Sequence, residues 1–418
     1  MPKYDLHRVG FEPTLRAKIL PMPVLTTSSL LLDLCCSQCG TSHSAHVSQT
    51  LSKCCEAPLL CRYDLKENLV SRADLHSRPY SLWRYKEVLP VFKPENQVSL
   101  GEGWTPLLPI NRLANQYRMS QLTLKDEGLN PTGSFKARGL SMAISKAKEN
   151  GHLACIIPTA GNAGVAMAAY CARAGMEAVV VMPRHTPDAF KDECLAYQAQ
   201  VILIDGLIND CAAKVQELNP DGRYFDVSTL KEPYRIEGKK TMGYEIAEQL
   251  NWQLPDVIMY PTGGGTGLIG IWKAFDEMKK LGWLTPDQPL PRMVAVQSEE
   301  CSPVVDTFLG KQPNSKNYMG RPTLANGLAV PRPIGEPLML DVLRESGGMA
   351  LAISEEEMVE GTKEICQQEG IFVAPEGGAI WAATKKLLHQ GWIKPEEHVL
   401  LLNTGSCQKY ADNMKGRW

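Results

Sequence analysis

Short apolar runs alternate with amphipathic segments along the first half of the chain. The runs at 122–125, 154–157, 178–182 and 201–204 have the length and composition of buried strands. Helical segments follow these runs and are predicted at 140–149, 163–174, 187–197 and 209–218. Strands that alternate with helices predict a parallel sheet covered by helices.

The same alternation resumes in the second half. Residues 233–250 are expected to lead into it, and 310–337, which are rich in Pro, Gly and Asn, to form the largest loop region. The strands are predicted at 257–260, 293–297, 349–353 and 399–403, and the helices at 268–280, 355–369 and 379–390.

Two such series predict an α/β fold with two three-layer αβα domains of mostly parallel sheet. A ligand site is expected between them, where their loops face each other. The predicted divisions are a loose arm at 1–29, a Cys-rich ribbon-like module at 30–65, a small αβ domain at 111–234, and a large domain made of 66–110 and 235–418.

Composition narrows the classes of function. The chain has 418 residues, of which 44% are hydrophobic and 22% charged, so it is long enough for two cores. A net charge of −2 gives no reason to expect nucleic acid or an anionic membrane as partner. The apolar runs are too short to cross a bilayer. An odd number of cysteines, thirteen, without a signal peptide favours the reducing cytoplasm.

Cysteines cluster near the start of the predicted module. Cys36 and Cys39 have the Cys-x-x-Cys spacing of a zinc knuckle, and Cys54 and Cys55 follow after a ribbon-like interval. Cys36, Cys39 and Cys55 could supply three ligands to a structural zinc. The fourth ligand could be Cys54, His43 or His46. The alternative is a ribbon held by packing alone, since an adjacent Cys-Cys pair replaces the usual second knuckle.

A lysine lies in the turn between the strand at 122–125 and the helix at 140–149. The turn reads Asn-Pro-Thr-Gly-Ser-Phe-Lys-Ala-Arg-Gly over 130–139 and contains Lys136. Positive potential from the helix N-terminus favours the neutral amine. A neutral lysine is a nucleophile that can form a Schiff base. An ordinary surface lysine that opens a helix is the alternative.

Two further turns have the same position between a strand and a helix. The first has four glycines and a threonine, and its backbone N–H groups suit a phosphate. Its residues are Gly263, Gly264, Gly265, Thr266 and Gly267. It ends without the Gly-Lys-Ser/Thr of a nucleotide-hydrolysing loop and lacks G-x-G-x-x-G. The second turn, 158–164, is small and polar. Together with Lys136, these turns supply what a pyridoxal phosphate site needs.

These motifs, together with Gly-Glu-Gly-Trp-Thr-Pro-Leu at 101–107 and Asn-Thr-Gly-Ser at 403–406, resemble the threonine synthases among the fold-type-II pyridoxal-phosphate enzymes. The resemblance extends from about 31 to 410. It implies a tryptophan synthase β-like fold, in which the small domain carries the Schiff-base lysine and the large domain binds the cofactor phosphate. It also implies a homodimer and a loop at 101–107 near the active site.

The resemblance also assigns the site. Lys136 is expected to hold the cofactor and to serve as the base, and Asn162 to contact the 3′-oxygen of the pyridine ring. Thr404 is expected to bond the pyridine nitrogen, with Ser406 as a less favoured alternative. The glycine-rich loop at 263–267 is expected to hold the phosphate. The residues expected to receive the substrate carboxylate are Thr159, Ala160, Gly161 and Ala163. Asn as a helix N-cap is the ordinary alternative for Asn162.

The implied reaction converts O-phospho-L-homoserine and water to L-threonine and phosphate. Two positions depart from the usual synthase motifs: Ala137 stands where Asp is common, and Cys407-Gln408 interrupts the terminal motif. A threonine or serine dehydratase, a β-replacement enzyme and a non-catalytic cofactor-binding protein are therefore kept as alternatives. Other charges near the predicted turns are expected to lie mostly on solvated faces. They are Lys125, Asp126, Arg138, Lys239 and Lys240.

Overall fold

The structure is a computed structural model and describes residues 29–67 and 69–418. The arm predicted at 1–29 therefore lies, apart from Ser29, outside the described residues. In chain order the strands are β1 Leu31–Cys36, β2 Ser42–His43, β3 Leu59–Tyr63, β4 Leu107–Pro109, β5 Gln121–Asp126, β6 Ala154–Pro158, β7 Glu177–Pro183, β8 Gln200–Ile204, β9 Phe225–Asp226, β10 Val257–Pro261, β11 Arg292–Ser298, β12 Met349–Ile353 and β13 His398–Asn403.

The α-helices cover most of the segments predicted to be helical. They are α1 Arg72–Leu75, α2 Asn111–Gln116, α3 Lys136–Glu149, α4 Asn162–Ala174, α5 Asp188–Ala196, α6 Ile208–Leu218, α7 Tyr234–Gln249, α8 Thr266–Lys280, α9 Pro303–Phe308, α10 Glu336–Glu345, α11 Glu355–Glu369, α12 Pro375–His389 and α13 Ala411–Met414. Within the described ranges, no helix combines the length and the apolar character needed to cross a membrane.

The larger sheet has the strand order β12-β11-β10-β13-β5-β4. All neighbours are parallel except β4, which pairs antiparallel with β5. The carboxyl ends of β10 and β13 therefore lie side by side, with the glycine-rich loop after β10 and Thr404 after β13. Buried residues such as Ile258, Leu400 and Leu402 pack the sheet against α7 and α8.

One predicted strand belongs to a different sheet from the one expected. The run at 122–125 was assigned to the small domain with 154–157, but β5 pairs with β13 in the larger sheet, where Leu122 lies opposite Val399. An apolar run identifies a buried strand and not its partner. The helix after β5 then carries the chain to the other sheet. The remaining domain limits stay predictions.

The smaller sheet is parallel throughout and has the order β8-β7-β6-β9. Met167 of α4 and Met182 of β7 share one buried cluster on one face, and Val215 of α6 lies with Val179 on the other. The α/β fold class with two helix-covered sheets is confirmed, and the ends of β6 face the same cleft as the ends of β10 and β13.

A three-stranded antiparallel sheet, β2-β1-β3, forms the Cys-rich module. It packs on the start of α7, where the Tyr63 hydroxyl donates a hydrogen bond of 2.8 Å to Glu237. Helix α7 replaces the connecting segment expected at 233–250, and α10 shortens the loop region expected at 310–337. The sequence of α7 lacks the apolar periodicity of a surface helix, because its charged residues are buried together with its apolar ones.

Candidate active site

A cleft opens between the two larger sheets, at the carboxyl ends of their central strands. The residues expected at the site line it, except Gly267: Lys136, Thr159, Ala160, Gly161, Asn162, Ala163, Gly263, Gly264, Gly265, Thr266 and Thr404. Turns that are far apart in sequence, at 136, 159–163, 263–266 and 404, therefore meet at one cleft, as the sequence predicts.

The turn that presents Lys136 is fixed to the end of β13. Ser134 forms an isolated bridge with Gly405, and the Phe135 N–H donates to the Thr404 carbonyl at 3.1 Å. Thr132 is left-handed at φ 59°, an uncommon conformation for a β-branched residue, and its carbonyl accepts a hydrogen bond from Lys409 Nζ at 2.8 Å. The lysine therefore starts α3 in an orientation fixed by three tertiary contacts.

The surroundings of Lys136 favour the neutral form of its amine. Burial and, to a smaller extent, the nearby Arg235 guanidinium together lower the pKa of Lys136 to about 7, although Glu376 opposes both. Its Nζ lies 4.4 Å from the centroid of the Phe135 ring. Desolvation, more than the helix N-terminus invoked from the sequence, thus makes this amine available as a nucleophile.

Asn162 is not the N-cap of α4. The helix is capped from Gly161 without a side-chain hydrogen bond, and the Thr159 hydroxyl accepts the N–H groups of Gly161 at 3.2 Å and Gly164 at 3.3 Å instead. Asn162 Oδ1 is buried and has no hydrogen-bond partner among the described residues. Its amide is therefore free to contact a ligand in the cleft.

Close packing explains the glycines of the loop after β10. A Cβ on Gly263 would lie 2.1 Å from the Gly327 carbonyl oxygen, and one on Gly265 would lie 2.1 Å from Met339 Sδ. Gly265 also has a φ of 74°. Gly267 does not line the cleft, because its α-carbon packs on the ring of Tyr260, where a Cβ would lie 1.9 Å from the hydroxyl. The loop is thus a tightly held backbone rather than a flexible connector.

Thr404 and Ser406, the two residues considered as partners of the pyridine nitrogen, follow β13 and have different surroundings. Thr404 is buried and lines the cleft. The Ser406 hydroxyl instead accepts the Gln408 N–H at 3.3 Å and lies outside the cleft lining. Cys407 is buried and Gln408 is exposed, and neither reaches the cleft.

Ala137 is fully buried in the hydrophobic cluster behind the lysine. It does not line the cleft either. Both departures from the usual synthase motifs therefore lie away from the space where a substrate would bind.

The prediction of solvated charges is wrong. Lys125, Arg138, Lys239 and Lys240 are at most 1% exposed, and Asp126 is 7% exposed. Arg138 donates to Glu127 at 2.6 and 2.7 Å and to Glu245 at 2.5 and 2.7 Å. The three cations Lys125, Arg138 and Lys240 pair with carboxylates, and Lys239 donates to the Thr266 hydroxyl. Asp126 accepts from the Asn403 amide and the Gly128 N–H. These partners, which a composition count does not reveal, make the burial possible.

The motif at 101–107 supports the lysine turn from behind. The Gly103 N–H donates to Asn130 Oδ1 at 3.1 Å, and the Thr105 hydroxyl donates to Glu127 at 2.6 Å. Glu102 accepts hydrogen bonds from Tyr170, Ser141 and Trp83 in the interior. The motif therefore lies near the site, as expected, but outside the lining of the cleft.

Sequence reasoning missed three residues of the site. Glu376 and Tyr410 line the cleft, and Arg235 lies behind Thr229, a lining residue to which its Nη1 donates at 3.3 Å. Arg235 is 1% exposed, and its Nε and Nη2 have no partner among the described residues. For Arg235 the available signal was the cluster of charges at 235–240, in a segment without apolar periodicity.

Comparison with known proteins identifies the family. A family model described as "Pyridoxal-phosphate dependent enzyme" matches residues 98–405, which is well over half of the chain. The chain belongs to this family. The chain is 34% identical over 381 residues to the threonine synthase of Methanocaldococcus jannaschii, with 90% of this chain and 93% of that protein covered. It is also 34% identical to the threonine synthase of Methanosarcina acetivorans, over 91% of this chain and 92% of that protein.

Solved structures of pyridoxal-phosphate dependent enzymes share the fold. A threonine deaminase from T.th. is 25% identical, with a TM-score of 0.59 over 81% of this chain and 98% of that chain. A pyridoxal 5′-phosphate-dependent aspartate racemase has a TM-score of 0.62 over 82% of this chain and 97% of that chain, at 19% identity. The second likeness concerns the fold alone.

The residues of the cleft fit pyridoxal phosphate, the cofactor of this family. A near-neutral lysine, the side-chain amide of Asn162, whose N–H₂ can donate into the cleft, and a glycine loop at a helix N-terminus converge on one space. Lys239, whose pKa burial lowers strongly, donates a hydrogen bond to the Thr266 hydroxyl beside the loop. This donor set matches an aldehyde, a ring oxygen and a phosphate.

The Cys-rich module contains a second candidate site. The sulfur atoms of Cys36, Cys39, Cys54 and Cys55 all lie within 4.8 Å of one another. Hydrogen bonds, first from the Ser52 hydroxyl and then from nearby backbone, lower the pKa of Cys36 to about 6, which favours the thiolate that metals bind. His43 Nε2 lies 3.6 Å from Cys54 Sγ, beside the four sulfurs. The pKa of Cys55, in contrast, is raised to about 12 by its hydrogen bond with Cys39 and by burial, so its thiol would lose its proton on binding a metal. Four cysteine sulfurs at this separation suit a tetrahedral structural zinc.

Proposed function

We propose that the protein is a threonine synthase, which converts O-phospho-L-homoserine and water to L-threonine and inorganic phosphate. The observation that carries the proposal is the cleft centred on Lys136, in a chain that covers nine-tenths of curated threonine synthases at 34% identity. The substrate is a small phosphorylated amino acid, which is proposed to bind in this cleft beside the cofactor.

Bound pyridoxal phosphate supplies an electron sink for negative charge that develops at Cα of an amino acid. Lys136 Nζ is proposed to remove the Cα proton, to help move a proton at Cβ, and to return one at the end. An amine with a pKa of about 7 can both accept and release a proton at neutral pH.

The other residues bind and orient. Asn162 is proposed to contact the ring 3′-oxygen, Thr404 to donate to the ring nitrogen, and the loop at 263–267 to hold the cofactor phosphate through backbone N–H groups. The turn with Thr159, Ala160, Gly161 and Ala163 is proposed to receive the substrate carboxylate at the N-terminus of α4. Arg235 has guanidinium nitrogens without a partner among the described residues in this region and attracts the anionic substrate.

The test is incubation of purified protein with O-phospho-L-homoserine, followed by measurement of inorganic phosphate and of threonine. Equal release of both supports the synthase. Phosphate without threonine would indicate an eliminase. No release, but ammonia and a 2-oxo acid formed from threonine, would indicate a dehydratase. A coloured protein that turns over none of these amino acids would support a non-catalytic role.

The module at 30–65 is proposed to hold one structural zinc through Cys36, Cys39, Cys54 and Cys55. The cytoplasmic location and the homodimer expected from the sequence are also proposals. Cell fractionation and the molar mass of the purified protein in solution test them.

A further inference from the structure

Glu376 is a buried carboxylate in the wall of the cleft. It lies in the first turn of α12 and is 4% exposed. Its Oε1 accepts the Gly327 N–H and the Tyr410 hydroxyl, both at 3.0 Å. Its Oε2 is buried without a partner among the described residues. Burial of a carboxylate oxygen without a partner destabilises the folded protein unless a positive group or a ligand faces it.

The packing around Glu376 holds it in this position. Gly327 leaves just enough room, because a Cβ there would lie 2.8 Å from Oε1. The carbonyl of Gly327 in turn packs on Gly263 of the loop after β10. Tyr410 is fixed by an edge-on contact with the Phe190 ring, with centroids 5.8 Å apart. The carboxylate is therefore held rigidly in the same cleft as the amine of Lys136.

We propose that Glu376 is the counter-charge of Lys136: its carboxylate, held by Gly327 and Tyr410, stabilises the ammonium form of the lysine and so sets the pH at which the amine becomes a nucleophile. Glu376 is thus a positioning residue that acts through Lys136. The inference rests on the proposed function only in so far as Lys136 is the residue that holds the cofactor.

Charged groups on the neighbouring elements also influence whether Lys136 and Glu376 are ionised. Arg235 of α7 lowers the pKa of Lys136, and Glu232 partly offsets the charge of Arg235. Lys239 of the same helix also lies near Lys136, but burial lowers its own pKa strongly and so disfavours its charged form. Burial raises the pKa of Glu376, and the Gly327 N–H, the Tyr410 hydroxyl and Lys136 each lower it again. Cys407 also lies near Glu376, but burial raises the pKa of its thiol to about 12, so it is neutral at physiological pH. Glu376 is the negative group that favours the ammonium of Lys136.

The test uses capture of pyridoxal phosphate by the apoprotein, without substrate. The rate at which the visible absorbance of the lysine-bound cofactor appears is measured across pH, because only the neutral amine reacts. In the Glu376→Gln variant, the amide oxygen still accepts from Gly327 and Tyr410, but the charge is gone. We expect the midpoint of the rate profile to fall by about one pH unit. Titration of the cofactor itself is common to all variants and cancels.

Glu336→Gln is the matched control. Glu336 is also a buried glutamate in the first turn of a helix, and it accepts from the Thr307 hydroxyl at 2.7 Å and the Ser315 N–H at 3.0 Å, but it lies outside the cleft. Its midpoint should equal that of the unmodified protein. An unchanged or raised midpoint in Glu376→Gln, or an equal fall in the control, would overturn the proposal.

Glu376→Ala decides the matter if Glu376→Gln does not fold. It also removes the charge but places no unpaired amide in the wall of the cleft, so the midpoint should fall in the same direction, and no fall would refute the role of Glu376. Failure of the unmodified apoprotein to develop absorbance would instead disprove the cofactor site. Capture without threonine formation would disprove the proposed function alone.

Discussion

Replacement of Arg138 by Met should destabilise the protein by breaking a buried ion network two residues from Lys136. Arg138 and Lys125 face Glu127 and Glu245, and the charged side chains of Arg138, Lys125 and both glutamates are fully buried. The network is neutral, with two cations and two anions. Met has a similar length but no charge, so the variant leaves one excess negative charge in the interior.

The size of the effect follows from that uncompensated charge. Removal of one partner from a buried ion pair typically costs about 3 to 5 kcal/mol. For a chain of 418 residues, the unfolding entropy is about 0.9 kcal/mol/K. The midpoint of thermal unfolding should therefore fall by about 3 to 6 °C if the chain unfolds cooperatively.

The loss should also depend on pH, with a defined sign. In the intact protein burial would raise the pKa of Glu245, but Arg138 and Lys125 lower it to about 2. Without Arg138, burial raises the pKa of a carboxyl in the network above its unfolded value. Such a group takes up a proton as pH falls towards that unfolded value, which removes the excess charge. The deficit should therefore be larger at pH 8 than at pH 5.5.

Thermal unfolding is followed by circular dichroism at both pH values. Arg321→Met is the control, since Arg321 pairs with Glu300 but its side chain is 74% exposed, and such a pair contributes less than about 1 kcal/mol. Addition of Glu245→Gln to Arg138→Met restores charge balance and should recover part of the loss. A fall below 1 °C for Arg138→Met, or one equal to that of Arg321→Met, would refute the reasoning.

Three further predictions concern the two sites. Lys136→Ala should lose both the visible absorbance of bound cofactor and turnover, and full turnover in that variant would contradict the mechanism. Gly263→Ala should weaken cofactor binding at least tenfold, because its Cβ would overlap the Gly327 carbonyl. Gly347→Ala is the control: a Cβ there meets open space, so the affinity should be kept, although the positive φ should cost about 1 to 2 kcal/mol of stability. Equal cofactor affinity in both variants would count against the packing argument. Metal analysis should find one zinc per chain. The Cys39→Ser variant should lose this zinc, and the control Cys366→Ser should retain it. Absence of zinc from protein purified without chelator would argue for a ribbon held by packing alone.

Local pattern was sufficient where chemistry and secondary structure are set by neighbours in sequence. Strand 349–353 and helix 355–369 agree with the predicted limits to the residue. Turns between strands and helices located Lys136, Asn162 and the loop at 263–267, since Gly, Pro and Asn interrupt apolar periodicity. The motifs also indicated the family before the fold was known.

Tertiary structure decided what depends on partners distant in sequence. The strand at 121–126 joined β13 because pairing is a long-range choice that apolar character does not specify. Helix α7 was not predicted because its buried charges, Glu245 and Lys240, are compensated by Arg138, Lys125 and Glu277 on other elements. Buried charges of this kind remove the apolar face that marks a helix in the sequence. Glu376 gave no signal, because only folding brings its carboxylate into the cleft with Lys136. The sequence by itself thus determined which groups can react, and the tertiary structure determined their charge, because burial and neighbouring charges set a pKa.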